Sequence, residues 1–140
     1  MFENQNKDDA LRFDIRELGG GYKLSRNFTL QEAQSQDLDP IVWLHPSVIV
    51  LVQTLRDEFG RIQINSWYRS KSHNKAIGGV NNSKHTWGLA VDIKPIDADL
   101  NLIKRRVLEM NIGGVGFYDT FVHLDVFGTK RFWNYESARS

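Results

Sequence analysis

Ser83-Lys84-His85-Thr86-Trp87-Gly88-Leu89-Ala90-Val91-Asp92 and, further along, Phe121-Val122-His123-Leu124-Asp125 carry between them two histidines and two aspartates in alternating apolar surroundings. Strand side chains point to opposite faces in turn, so Gly88, Ala90 and Asp92 share one face while Trp87, Leu89, Val91 and Ile93 share the other. The same rule sets Phe121, His123 and Asp125 on one face of a later strand, with Val122, Leu124 and Val126 turned to the core. His85 lies just before its strand, where a loop can bring its ring back over Asp92. His85, Asp92 and His123 then form a set of two imidazoles and one carboxylate. Such a set leaves one tetrahedral position of Zn²⁺ open, which marks a hydrolytic site and not a closed structural one. The chain has no cysteine, so a thiolate zinc knot is excluded.

Outward from these segments, Arg61-Ile62-Gln63-Ile64-Asn65-Ser66-Trp67 alternates in the same way and predicts a half-buried strand. Gly114 to Tyr118 and Thr120 to Val126 are close enough to pair as a hairpin across Asp119. Thr29 with Glu32 three residues later forms a capping box for a short helix. A longer helix has Pro46 in its first turn, puts Val48, Ile49, Val52, Leu55 and Phe59 on one face, and stops at Gly60. Tyr68 to Val80 reads as a turn and short helix, and a further helix from about Asp97 to Met110 carries Leu100, Ile103, Val107 and Leu108 inward. His45 reads as a helix-entry residue, and Phe132 and Trp133 as packing for the C-terminus. The sum is an α+β domain, a small antiparallel sheet flanked by helices. Residues 1–22, charged and ending in Gly19-Gly20-Gly21, read as a flexible N-terminal arm, and 23–140 as the folded domain.

With 140 residues the chain is long enough for one self-supporting core. A formal net charge of +1 argues against nucleic acid as the main partner. Val48-Ile49-Val50-Leu51-Val52, the longest apolar run, is far too short to span a bilayer, so no membrane insertion is expected. The polar, acidic start Met-Phe-Glu-Asn-Gln-Asn-Lys-Asp-Asp lacks the basic opening and apolar run of an export signal. A monomer is the default expectation.

In its motifs the chain resembles the zinc D-Ala-D-Ala carboxypeptidase and L-Ala-D-Glu endopeptidase family, whose fold is shared with the hedgehog signalling domain. The family's Ser-x-His-x-x-Gly-x-Ala-x-Asp segment is matched by Ser83 to Asp92, and its later His-x-Asp by His123 to Asp125. Upstream, Trp67-Tyr68-Arg69-Ser70 and His73-Asn74 are similar to its Gly-Tyr-Arg-Ser turn and His-Asn pair. The Phe-x-x-x-Glu near the start and the Gly-Gly-Val-Gly-Phe-Tyr hairpin extend the likeness from Phe28 to Trp133.

The resemblance implies a hedgehog/DD-peptidase-like fold and a zinc metallopeptidase acting on peptidoglycan stem peptides, with His85, Asp92 and His123 as zinc ligands. Arg69 would bind the substrate carboxylate or the developing oxyanion, a role that a permanently charged, multiply donating guanidinium suits. Many such relatives carry a Glu or Asp three residues before the last ligand histidine, where this chain has Thr120. Asp125 is therefore the expected general base, with Asp119 in reserve. Tyr68, Ser70, His73, Ser83 and Trp87 are expected to line the substrate cleft.

A small cell-wall peptidase without an export signal resembles the lytic enzymes of bacteriophages, made in the cytoplasm and released to the wall by a separate route. The rival expectation is a non-catalytic, hedgehog-like zinc-binding module that binds a protein or cell-wall partner. A domain without any metal is disfavoured by the joint His-Asp-His pattern.

Overall fold

The computed structural model describes residues 1–137 and shows an α+β arrangement. Its centre is a five-stranded sheet built from β5 (Ile62–Ser66), β6 (Ala90–Pro95), β7 (Gly114–Phe117), β8 (Val122–Asp125) and β9 (Arg131–Asn134), in the order β5-β6-β8-β7-β9. All neighbours are antiparallel except β9, which runs parallel to β7 along one edge. The expected hairpin is present, with Phe117 opposite Val122.

Register and pleat divide the sheet into two faces. Val115, Leu124 and Val91 form one cross-strand row, and Phe117, Val122 and Ile93 another, all buried. Against this apolar face pack α3 (Pro46–Phe59) and α5 (Leu100–Glu109). Val48, Ile49, Val52 and Leu55 of α3, with Ile103 and Val107 of α5, are buried as their helical spacing requires, while Phe59, Leu100 and Leu108 pack at the margin. The predicted caps also form: His45 Nδ1 accepts the Ser47 N–H at 3.0 Å, and Gly60 takes a left-handed φ of 82° that ends the helix. Helix α5 opens later than expected, because Asp99 caps it and Asp97 is committed to Arg61.

Three further expectations need correction. Residues 1–22 are not a loose arm: β1 (Leu11–Asp14) pairs antiparallel with β4 (Ile41–Leu44), Phe2 bridges to Ile112, and the Asn4 and Gln5 N–H groups donate to Gly128 and Val126 carbonyls. Backbone hydrogen bonds, which composition does not reveal, hold this segment. The short elements α1 (Ile15–Leu18), β2 (Lys23–Ser25), β3 (Phe28–Thr29) and α2 (Leu30–Ala33) follow, with Glu32 accepting the Thr29 N–H at 3.0 Å. The strand expected from Trp87 begins only at Ala90, because Gly88 adopts φ 72° in a turn. There its backbone lies so close to the Trp43 carbonyl that a Cβ would sit 2.3 Å from the oxygen. Finally, 131–134 is a strand, not simple terminal packing. Among the described residues, no helix is long and apolar enough to cross a membrane.

Candidate metal centre

The second face of the sheet carries the chemistry. Its central row runs Ser66, Asp92, His123, Gly116, Trp133 across all five strands, and the next runs Ala90, Asp125, Gly114, Arg131. The two glycines are the space in which the functional side chains lie. A Cβ on Gly114 would come within 2.2 Å of Asp125 Oδ2, and one on Gly116 within 2.3 Å of Trp133 Nε1.

His85 reaches this face from the loop before β6. Its Nδ1 lies 2.8 Å from the Trp67 carbonyl oxygen, which can only accept, so Nδ1 carries a hydrogen and Nε2 is the nitrogen turned toward the cluster. That nitrogen lies 3.3 Å from Asp92 Oδ1. On the other side of Asp92, His123 Nδ1 is 2.9 Å from the same oxygen. One donor atom from each of His85, Asp92 and His123 falls within a cluster no wider than 4.8 Å, close enough to converge on one cation. His123 Nε2 is held from behind by Asp125 Oδ2 at 3.0 Å. Both rings are thus oriented by their outer nitrogens, the arrangement metal-binding imidazoles require. The donor set and its orientation fit zinc.

Electrostatics follow from this packing. Burial alone would raise the Asp92 carboxyl, but the charge on His85 and the hydrogen bonds from His123 and His85 hold it well below the usual carboxylate range. Burial opposes charge on His123 too, yet its contacts with Asp125 and Asp92 win and its pKa is pushed up to about 9.

Asp125, the expected general base, shares a face with His123, as alternation required, and both its oxygens have partners. It is 1% exposed. Oδ2 faces His123 Nε2, while Oδ1 accepts from Arg131 Nη2 at 2.5 Å and from the Phe127 N–H at 3.1 Å. These contacts fix the carboxylate against the His123 ring. Asp119 does not line the cleft, and it accepts the N–H and hydroxyl of Ser137 at 2.8 and 2.6 Å.

Arg69 lines the cleft and is half-buried, and its guanidinium meets only neutral acceptors, Asn74 Oδ1 at 3.0 Å and Ser66 Oγ at 3.3 Å. Among the described residues no carboxylate pairs with it, so its charge is open to an anionic ligand. Its N–H also donates to the His85 carbonyl, which ties it to the metal loop.

Of the other expected cleft residues, Ser83 alone lines this cavity, accepting the His85 N–H at 3.3 Å. Ser70 is buried as the cap of α4 (Lys71–Ala76), with its hydroxyl on Asp37. Tyr68 and His73 face a separate hollow behind Arg69. Trp87 packs on Phe127 outside the metal cleft. The wall the sequence reading missed is aromatic: Tyr118 stacks on Phe121, and Trp133 Nε1 donates to the Tyr118 hydroxyl. Arg131 was missed with it. Alternation in Arg131-Phe132-Trp133-Asn134 is the signal that marks both as strand residues on one face.

The cleft of about 400 Å³ is therefore an open, anion-attracting chamber over a His-Asp-His cluster. Proteins from Escherichia coli and Shigella flexneri, each named peptidoglycan L,D-endopeptidase MepK, are 37% identical to this chain over 79 residues. The similarity covers 51% of this chain and 43% of theirs, so it spans less than half the length of these relatives. The family model described as Peptidase M15 matches residues 23–125, a range that contains His85, Asp92, His123, Arg69 and Asp125. On that match, this chain belongs to the Peptidase M15 family.

Proposed function

We propose that this chain is a zinc-dependent endopeptidase that cuts a peptide bond within the stem peptides or cross-links of peptidoglycan. The observation that carries the reading is the convergence of His85, Asp92 and His123 beneath a cleft whose guanidinium, Arg69, has no acidic partner. The name carried by the similar proteins, peptidoglycan L,D-endopeptidase, supports the substrate and favours an endopeptidase over a carboxypeptidase.

His85 Nε2, an Asp92 oxygen and His123 Nδ1 would hold the ion. When bound, zinc supplies Lewis-acid chemistry, lowering the pKa of water and polarising a scissile carbonyl. Arg69 binds the oxygen on which negative charge develops, oriented by the neutral side chains of Asn74 and Ser66. Asp125 keeps the His123 Nε2 hydrogen in place, so that Nδ1 stays turned to the donor cluster. Tyr118, Phe121 and Trp133 form an apolar wall against which a peptide lies. The chain works at the bacterial cell wall.

A second reading, a zinc-holding module that binds a wall or protein partner without cleaving it, is favoured by one observation. Both carboxylates lining the cleft, Asp92 and Asp125, are engaged by imidazoles. Digestion of purified peptidoglycan by the zinc-loaded protein and by His85→Ala, with products identified by mass, separates the two. New amine ends from the wild type alone support the peptidase and name its bond; binding at full zinc with no new ends supports the module.

A further inference from the structure

On the far side of the loop that carries His85 lies a second groove, of about 700 Å³, lined by Lys7, Lys71, Lys75, Asn81, Asn82 and Trp87 among others. None of the described residues lining it is acidic. Lys7 Nζ stands 4.9 Å and Lys84 Nζ 5.0 Å from the Trp87 ring centre, so two ammonium groups are gathered at one aromatic side chain. Among the described residues, Lys104 alone of the lysines takes part in an ion pair. The groove's lysines therefore stand without ion-pair partners, while Asp8 and Asp39 border the adjoining hollow that shares Lys7, Lys71 and Trp87.

The groove and the metal cleft are two sides of one loop. Val80, Ser83 and His85 face the cleft, and Gly79, Asn81, Asn82 and Thr86 face the groove. Asn74 spans the division: its Oδ1 accepts from Arg69, its Nδ2 donates to the Val80 carbonyl at 3.0 Å, and it also borders the groove. A polymer lying in the groove would thus be one loop's width from the reacting centre.

We infer that this groove binds the peptidoglycan polymer itself, through carboxylates on the lysines and through sugar hydroxyl and acetamido groups on Asn81, Asn82 and Trp87. The inference rests on the peptidase reading above, because a polymer that bears the scissile peptide is the ligand for which the two sites' adjacency is useful. Anionic phosphodiester polymers attached to the wall share the charge but not that covalent link.

The test is co-sedimentation of the whole protein with insoluble peptidoglycan in the cold, before and after attached phosphodiester polymers are stripped by acid. The variants are the triple Lys7→Gln/Lys71→Gln/Lys75→Gln and the matching triple to arginine, both checked for unchanged melting. The wild type and the arginine triple should bind stripped and unstripped walls alike. The glutamine triple should bind at least roughly tenfold more weakly. The difference should vanish near 1 M salt, where the Debye length falls to about 3 Å. Equal binding by the glutamine triple, or loss of wild-type binding on stripped walls, overturns the inference. Cleavage of a soluble stem peptide is scored separately. Cleavage with lysine-independent binding sinks the groove alone, and lysine-dependent binding without cleavage sinks the peptidase reading alone.

Discussion

Asp125 Oδ2 lies 3.0 Å from His123 Nε2, on the ring nitrogen opposite the one that meets Asp92. On the proposed function this contact makes Asp125 the support of a zinc-holding histidine, a role that looks identical in sequence to that of a general base. Replacing Asp125 by alanine should weaken zinc binding by roughly 10–100-fold, the range for lost support behind a ligand histidine. Activity should return in large part at saturating zinc. A proton-transfer residue would instead leave a deficit of about 10²–10⁴-fold in kcat at full occupancy. Zinc titration of activity in the variant distinguishes the two.

Arg131 Nη2 caps the other oxygen of Asp125 and also donates to the Phe127 carbonyl. Arg131→Met leaves a buried carboxylate with one donor fewer. Zinc affinity should fall by several-fold to about tenfold, less than in Asp125→Ala. Competition with a chromogenic chelator measures both variants on one scale.

Asn74 holds Arg69 through a neutral oxygen. Asn74→Asp keeps the acceptor but adds a charge that competes with the substrate for the guanidinium. We expect kcat/KM to fall by roughly 10–100-fold with zinc affinity unchanged. A variant that retained full activity would show that Arg69 need not be free of a charged hydrogen-bond partner.

The His123 pKa, pushed up to about 9, sets a pH dependence. Because it is raised above the ordinary 6.5, a proton on His123 stabilises the metal-free fold. That contribution is complete below the unfolded value and is lost as pH rises through about 9. Zinc must displace the same proton, so its apparent affinity should climb about tenfold per pH unit between neutrality and pH 9, then level off. Chelator competition across that range gives the slope.

Gly116 makes room for the Trp133 indole. Gly116→Ala should lower stability by roughly 1–3 kcal/mol through overpacking. It should also shift tryptophan emission, since Trp133 must leave its place beside His123. Thermal melts with fluorescence report both.

The clustering of the candidate residues was legible because strand alternation is exact: Asp92, His123 and Asp125 had to share a face once β6 and β8 were recognised. His85 followed from the loop before them. The role of Asp125 was not legible, since alternation gives the face but not which ring nitrogen a carboxylate meets. Arg131 and Trp133 were missed because β9 is short and gains its partner, β7, through parallel pairing that local pattern does not reveal. The same limit hid the docking of residues 1–22, whose hold on Ile112, Val126 and Gly128 is made by backbone groups. Tyr68, Ser70, His73 and Trp87 lie near the site in sequence, yet face hollows or helix caps outside the metal cleft.

The most direct test returns zinc stepwise to chelator-stripped protein while new amine ends are counted on purified peptidoglycan. The account predicts that hydrolysis rises with zinc, saturates at one ion per chain, and is absent from His123→Ala at any zinc level that leaves the wild type active. Full zinc occupancy without amine release, or equal release from metal-free protein, would contradict it.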